Sequence, residues 1–215
     1  MSQQSRSLFR VAALAAVALA LLVAGFAAGD PKGRLAQLIL DRETDAHATA
    51  TVQRGREIFR DETFGDEGFW GGTIRLHQAI AGAAHGGVGP GVSPKTALAV
   101  GLKVDANAIP AAVAQKIQRG EVDLDDPATT LALLQLDAVI GVKGRFDSSG
   151  QLASVGITCA LCHSTVDDSF APGIGNRRDG WANRDLNVGA IIALAPDLSS
   201  VASLLGTTSR LCERC

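Results

Sequence analysis

Cys159-Ala160-Leu161-Cys162-His163 carries the strongest chemical signal in this chain. Two thiols three positions apart at the start of a helix lie on the same face, and each can add to one of the two vinyl groups of a haem. The histidine that follows directly then points its imidazole at the iron as the proximal ligand. The pattern therefore predicts one covalently attached c-type haem, with Cys159 and Cys162 as anchors and His163 as the iron ligand.

Two other interpretations of the same five residues remain open. The first is a zinc site formed by Cys159, Cys162 and His163, although adjacent Cys and His side chains rarely point at one metal ion. The second is a thiol–disulfide centre, because a strand followed by Cys-x-x-Cys at the start of a helix is the thioredoxin arrangement. The surrounding sequence does not have a clear βαβ pattern, and this second interpretation leaves His163 without a role.

The segments before the motif predict helices and one β-hairpin. Residues 139–146 and 151–157 flank Asp147-Ser148-Ser149-Gly150, whose composition is typical of a hairpin turn. Helix starts are predicted where a capping residue precedes a proline at the first helical position, at Asp30-Pro31, Ser93-Pro94 and Asp126-Pro127. The sequence thus predicts a mainly α chain with one hairpin, which is directly followed by the motif.

The N-terminus has the composition of a targeting segment. Arg6 and Arg10 precede residues 11–28, which are uncharged and half alanine. A positive flank, an apolar run and small residues near 27–29 are the parts of a secretory signal, and the run is nearly long enough for a membrane anchor. Residues 1–29 are therefore predicted to be a signal peptide or an N-terminal anchor. The rest of the chain is then exported, to the periplasm or its equivalent, where haem is attached to thiols.

Charge and composition narrow the classes of function. The formal net charge is −2 and no run of Lys or Arg forms a basic stripe, so the sequence indicates no nucleic-acid partner. Aromatic residues are few, with 2 Trp, 7 Phe and no Tyr. The core must therefore rely on Ala, Val, Leu and Ile, or on a large apolar cofactor such as haem.

A family resemblance extends beyond the motif. Gly55 and Phe59 resemble the N-terminal helix of class I cytochromes c, in which such a pair lets that helix cross the C-terminal helix closely. Residues 60–158 then form an insertion before the haem motif. The chain resembles a group of long bacterial c-type cytochromes with such an insertion, over residues 55–70, 139–168 and 170–194. The resemblance implies a mainly α, cytochrome c-like haem domain over residues 30–206, with an inserted helical segment and a β-hairpin before the haem motif.

The resemblance also bears on the C-terminal end. Members of that group continue past the position of this C-terminus, which implies a truncated chain without the closing helix. Residues 207–215 are then an irregular tail, in which Cys212 and Cys215 form a second Cys-x-x-Cys with no following histidine. That pair is expected to be an exposed disulfide in an oxidising compartment.

The sixth iron ligand does not follow from the motif. Methionine is the usual second axial ligand of electron-transfer cytochromes, yet the only methionine is Met1. His77 lies in an apolar helical pattern and is the candidate distal ligand, whereas His47 and His85 lie in more polar segments. A vacant sixth position would instead favour a haem enzyme of peroxidase type.

Further candidate residues follow the motif. Pro172, with Gly173, resembles the loop whose carbonyl accepts a hydrogen bond from the proximal imidazole. Haem propionates need cationic or N–H partners, and the candidates are Arg177, Arg178, Trp181 and Arg184. The sequence as a whole predicts one-electron transfer by haem c to a redox partner protein or a respiratory assembly, after loading by a haem-attachment machinery.

Overall fold

The computed structural model of the chain describes residues 15–20 and 31–206. Residues 15–20 are helical. The rest of the predicted signal or anchor, and the predicted tail that contains Cys212 and Cys215, lie outside the described residues. Within the described part, no helix has both the length and the apolar character that a membrane span needs.

The chain divides into two compact units between Arg54 and Gly55. Helix α1 (Pro31–Asp61) begins at the proline of the predicted cap signal and crosses this division. Its residues 32–54 belong to the first unit, and their side chains are all exposed. Residues 55–61 belong to the second unit, which contains all the elements described below.

Short helices make up much of the second unit. A π-helical turn spans Gly68–Thr73, and single 3-10 turns span Ala83–His85 and Ala106–Ala108. The α-helices that follow α1 are α2 (Leu76–Ala81), α3 (Pro94–Ala99), α4 (Ala111–Gln118), α5 (Pro127–Gln135), α6 (Ala160–His163), α7 (Val188–Ala193) and α8 (Ser199–Leu204).

Two of these helices begin where the cap signals predict. The Ser93 hydroxyl accepts a hydrogen bond from the Thr96 N–H at 3.2 Å, ahead of Pro94 in α3. The Asp126 carboxylate accepts one from the Ala128 N–H at 2.8 Å, ahead of Pro127 in α5. These side chains satisfy N–H groups that have no partner within the helix, and proline has no N–H to satisfy.

The predicted β-hairpin is confirmed. Strands β2 (Val142–Phe146) and β3 (Leu152–Ile157) are antiparallel, and Val142 pairs with Ile157. The carboxylate of Asp147 closes the turn, because it accepts hydrogen bonds from the N–H groups of Ser149 at 2.8 Å and Gln151 at 3.0 Å. The hairpin thus delivers the chain from Ile157 into the motif.

Two further small sheets contain the strands that precede and follow the loop after the motif. Strand β4 (Ser164–Val166) pairs with β6 (Arg177–Asp179) in an antiparallel ladder. Strand β1 (Val104–Asp105) pairs in parallel with β5 (Ile174–Gly175). Ile174 and Gly175, which the sequence indicated as part of a loop, are therefore held in a strand, and so are residues 164–166 directly after Cys159–His163.

The predicted fold class, a mainly α, cytochrome c-like haem domain, is wrong. The described chain contains three two-stranded sheets interspersed among short helices. Gly55 and Phe59 belong to the 31-residue helix α1, and after Leu194 the described chain has only the six-residue α8. The sequence missed β1, β4, β5 and β6 because strands of two or three residues show no alternation of apolar and polar positions.

The core consists of aliphatic side chains, as the composition predicts. The largest buried cluster joins α2, α3 and α5 to the hairpin, and it includes Leu161 of the motif helix. A second, smaller cluster contains Ile140, Ala160 and Val166, with Phe59 packed against it. The motif helix α6 therefore stands between two apolar clusters and supplies one buried residue to each.

Candidate functional site

Helix α6 separates the motif into an inner and an outer side. Ala160 and Leu161 are buried, at 0% and 5% exposed. Cys159, Cys162 and His163 are exposed, and both thiols are free. Cys159 and Cys162 lie on one face because they are three positions apart in the helix. The three residues that a c-type haem requires are therefore presented to solvent together.

A close backbone approach fixes where this helix begins. Gly141 lies at the start of the hairpin with φ +79°, and its carbonyl accepts a hydrogen bond from the Thr158 N–H at 3.0 Å. A Cβ atom on Gly141 would stand 2.2 Å from the nitrogen of Leu161. Only glycine fits here, because the backbone at the start of the hairpin lies directly against the backbone of the motif. This close approach positions the motif helix. A glycine that interrupts an apolar strand pattern is the sequence signal for such an approach.

The other end of α6 is held by the segment 179–187. The N–H of Gly180 donates to the His163 carbonyl at 2.8 Å, and the N–H of Asn183 donates to the Cys162 carbonyl at 2.9 Å. The Asn183 side chain also donates to the carbonyl of Gly101 at 2.8 Å. These bonds satisfy carbonyls that a helix end leaves without partners. No sequence pattern marked Asn183, although it lies between two predicted site residues.

Asp179 connects three elements immediately behind the motif. Its carboxylate accepts hydrogen bonds from Arg60 of α1 at 2.8 Å, Arg177 at 2.7 Å and the Ser164 hydroxyl at 2.9 Å. Partial burial opposes ionisation of Asp179, but the hydrogen bonds from Arg60 and Ser164 and the charges of the two arginines outweigh it. The pKa of Asp179 is consequently below its ordinary value.

We expect Asp179→Asn to destabilise the chain by about 2 kcal/mol at pH 7, because it removes charge-assisted hydrogen bonds from Arg60 and Arg177. Since the pKa of Asp179 is lowered in the folded state, its stabilising effect is present above the ordinary pKa of aspartate and is lost as the pH falls. Urea unfolding of both proteins between pH 7 and pH 2.5 measures this effect. The two curves should converge in acid.

Asp125→Asn is the matched control for that measurement. Asp125 pairs with Lys95, and the two side chains are 71% and 72% exposed. An exposed pair is worth roughly 0–1 kcal/mol. An Asp179→Asn variant no less stable than Asp125→Asn at pH 7 would show that the Asp179 hydrogen bonds do not hold the region behind the motif.

The structure separates the four predicted propionate partners into two pairs. Arg177 has only 9% of its side chain exposed and is paired with Asp179, and burial lowers the pKa of its guanidinium. Arg178 pairs with Asp167 at 3.4 Å. Trp181 and Arg184 are exposed, and their side chains make no hydrogen bond or ion pair with a described residue. They flank Asn183, whose backbone N–H donates a hydrogen bond to the Cys162 carbonyl.

Pro172 is exposed in the loop before β5. The neighbouring Gly173 carbonyl accepts a hydrogen bond from the Val104 N–H at 3.0 Å, which ties this loop to β1. The imidazole of His163 has no hydrogen-bond partner in the described part of the chain, so no such bond joins it to Pro172.

His77 lies on α2, which packs against β3, the strand that leads into the motif. Its Nδ1 atom is buried and has no hydrogen-bond partner among the described residues. Burial, together with the charge of Arg75, lowers the pKa of His77 and so favours the neutral ring. His47 is exposed on α1, and His85 ends a 3-10 turn.

The donor set fits a c-type haem. Cys159 and Cys162 offer two free thiols on one exposed face, and His163 adds an exposed imidazole without a competing hydrogen bond. Within residues 15–20 and 31–206, no three His, Cys, Asp or Glu side chains converge on a point where a metal ion would bind. Comparison with protein-family models, curated proteins and solved structures gives no significant match.

Proposed function

We propose that this chain carries a haem covalently on Cys159 and Cys162 and transfers single electrons outside the cytoplasm. The observation that carries the proposal is the orientation of α6, whose two free thiols and imidazole are exposed together while Ala160 and Leu161 anchor the helix. Thioether bonds keep a haem in place without an enclosing pocket, which suits a site at the surface. The resemblance to long bacterial c-type cytochromes in the motif region supports the same cofactor.

Each residue of the motif has a separate task in this proposal. The thiols of Cys159 and Cys162 form the two thioethers, and His163 supplies the proximal nitrogen. The haem iron supplies the one-electron redox change. Gly141 and Asn183 hold the two ends of the helix, so that the backbone of the three residues keeps a fixed position.

Trp181 and Arg184 are the preferred propionate partners within this proposal. Both side chains are exposed and without partners among the described residues, unlike Arg177 and Arg178, which are engaged with carboxylates. Both lie within two residues of Asn183, whose backbone N–H bonds to Cys162. An indole N–H and a guanidinium are suitable donors for a carboxylate.

Absorption spectra of the protein from a periplasmic extract test the proposed function. A pyridine haemochrome spectrum of the c type, and a redox titration that follows a one-electron curve, are the expected results. Absence of haem together with a reducible Cys159–Cys162 disulfide would favour the thiol–disulfide alternative instead. A redox-active haem that turns over peroxide would favour the peroxidase alternative. N-terminal sequencing of the same material tests export and cleavage near residues 27–29.

We expect His163→Ala to retain covalent haem but to lose the spectrum of histidine-ligated iron, since the sulfurs remain while the proximal nitrogen is gone. His47→Ala is the control, because His47 is exposed on α1 in the other unit. Absorption and electron paramagnetic resonance spectra report the ligation. An unchanged spectrum in His163→Ala would contradict the assignment of the proximal ligand.

The same spectra test His77 as the distal ligand. If His77→Ala matches the wild type and the reduced iron binds carbon monoxide readily in both, then the sixth ligand is not His77. Loss of six-coordination in His77→Ala alone would identify it. The proposed partners are a redox protein or respiratory assembly that approaches the exposed face of α6, and the machinery that attaches the haem.

A further inference from the structure

Two small cavities lie side by side in the core, between the hairpin and helices α2 and α3. Each has a volume of about 40 Å³. Leu134 and Val139 bound the first cavity, and Ile157 and Leu161 bound the second. The wall residues that the two cavities share are Ile80, Val92, Ala97, Leu102 and Val142. The second cavity therefore reaches the motif from its inner side, because Leu161 stands between the two cysteines.

The first cavity contains one polar group. Thr130 of α5 lines it, is only 6% exposed, and its hydroxyl has no hydrogen-bond partner among the described residues. A threonine within a helix can bond to the carbonyl four residues earlier, and here it does not. A buried hydroxyl without a partner is uncommon in native proteins and calls for an explanation.

Water does not explain the cavities. A buried water needs two to four polar partners, and the side chains that line the first cavity are apolar apart from Thr130. The second cavity is lined by aliphatic side chains alone. Cavities of this kind stay dry, and they bind apolar atoms and molecules that match their volume.

We propose that this pair of cavities binds a small, neutral, diatomic gas of the class of dioxygen, carbon monoxide and nitric oxide. The volume admits two or three heavy atoms, the walls favour an apolar molecule, and Thr130 offers a single donor to a weak acceptor. A ligand in the first cavity would face Thr130, and one in the second would lie on the inner side of Leu161, directly beneath the motif. This inference does not depend on the presence of haem, so its test is separate from that of the proposed function.

The first measurement uses xenon and the full chain. Methyl carbon–proton spectra are recorded at increasing xenon pressure. We expect saturable shifts confined to the methyl groups of wall residues such as Ile80, Leu134, Val142 and Leu161. If no saturable shifts are seen, or if small shifts are spread over surface methyls, the proposal is overturned. This outcome needs only the wild-type protein.

The second measurement repeats the xenon titration on a variant in which a larger side chain at a shared wall residue fills both cavities. Ala97 contacts both cavities, so Ala97→Leu should abolish the saturable response. Ala132→Leu is the matched control, since Ala132 is exposed on α5 and its substitution leaves the cavities open. If Ala97→Leu does not fold, Val92→Ile reduces the same space by one methylene, for which about a tenfold loss of xenon affinity is expected. A full response in a folded filled variant overturns the assignment of the site.

Dioxygen distinguishes the gas class from a general affinity for apolar atoms. Dissolved dioxygen is paramagnetic and should enhance the relaxation of the same wall methyls in the wild type and in Ala132→Leu, and not in Ala97→Leu. Xenon shifts without any dioxygen enhancement at these methyls would overturn the assignment to a diatomic gas.

Discussion

We expect the double substitution Cys159→Ala, Cys162→Ala to leave no haem that survives acid–acetone extraction. The two thiols are the only covalent anchors in the motif, and an iron–histidine bond alone does not resist acid, which protonates the imidazole. The loss should be complete, since neither sulfur remains to form a thioether. Haem staining after denaturing electrophoresis and mass spectrometry of the intact chain measure it.

The chain provides its own control for this experiment. Cys212 and Cys215 repeat the Cys-x-x-Cys spacing without a following histidine, so replacing both by alanine should leave the covalent haem in place. Acid-stable haem in the Cys159, Cys162 double variant would refute the central proposal. Loss of haem in the Cys212, Cys215 variant would show that the attachment site lies elsewhere.

Gly141→Ala should destabilise the chain strongly. The new Cβ would lie 2.2 Å from the nitrogen and 2.3 Å from the Cα of Leu161, in a residue with φ +79°. Strain at positive φ costs about 1–2 kcal/mol and overpacking about 1–3 kcal/mol, so we expect a loss of roughly 2–5 kcal/mol. Urea unfolding measures the loss, and haem yield should fall with it because α6 is displaced.

Gly150→Ala separates backbone strain from the close contact. Gly150 has a similar φ of +81° in the hairpin turn, but nothing lies within 4 Å of the position of its Cβ. This variant should lose only about 1–2 kcal/mol, from the left-handed conformation alone. Equal losses in the two variants would show that the approach of Gly141 to Leu161 does not position the motif.

Local signals account for the part of the fold that was predictable from sequence. Asp147 closes the hairpin turn through bonds to residues two and four positions away, and Ser93 caps α3 three residues away. The pairing of Val104 with Ile174 has no such local signature, because the two residues are 70 positions apart and their strands contain two residues each. The mainly α assignment failed for that reason.

The candidate site shows the same division. Cys159, Cys162 and His163 were selected from sequence because they lie within five consecutive residues, and their assignment to a haem stays a prediction. Asp179 and Asn183 were not, since an isolated aspartate or asparagine in a loop does not reveal which distant group it will bond to. The exposed positions of Trp181 and Arg184, and the inward turn of Arg177, depend on the β4–β6 ladder and could not be separated from sequence alone.

The bonds that hold α6 have a consequence for the order of events during synthesis. The Arg60–Asp179 and Asn183–Gly101 bonds join residues 119 and 82 positions apart. Contacts between distant residues form late, because a long loop must close first. The ribosome also makes Cys159 to His163 before it makes Asp179 and Asn183. A nascent chain therefore presents the motif as a pliable peptide first, and the C-terminal end of α6 is held only when residues 179–187 arrive.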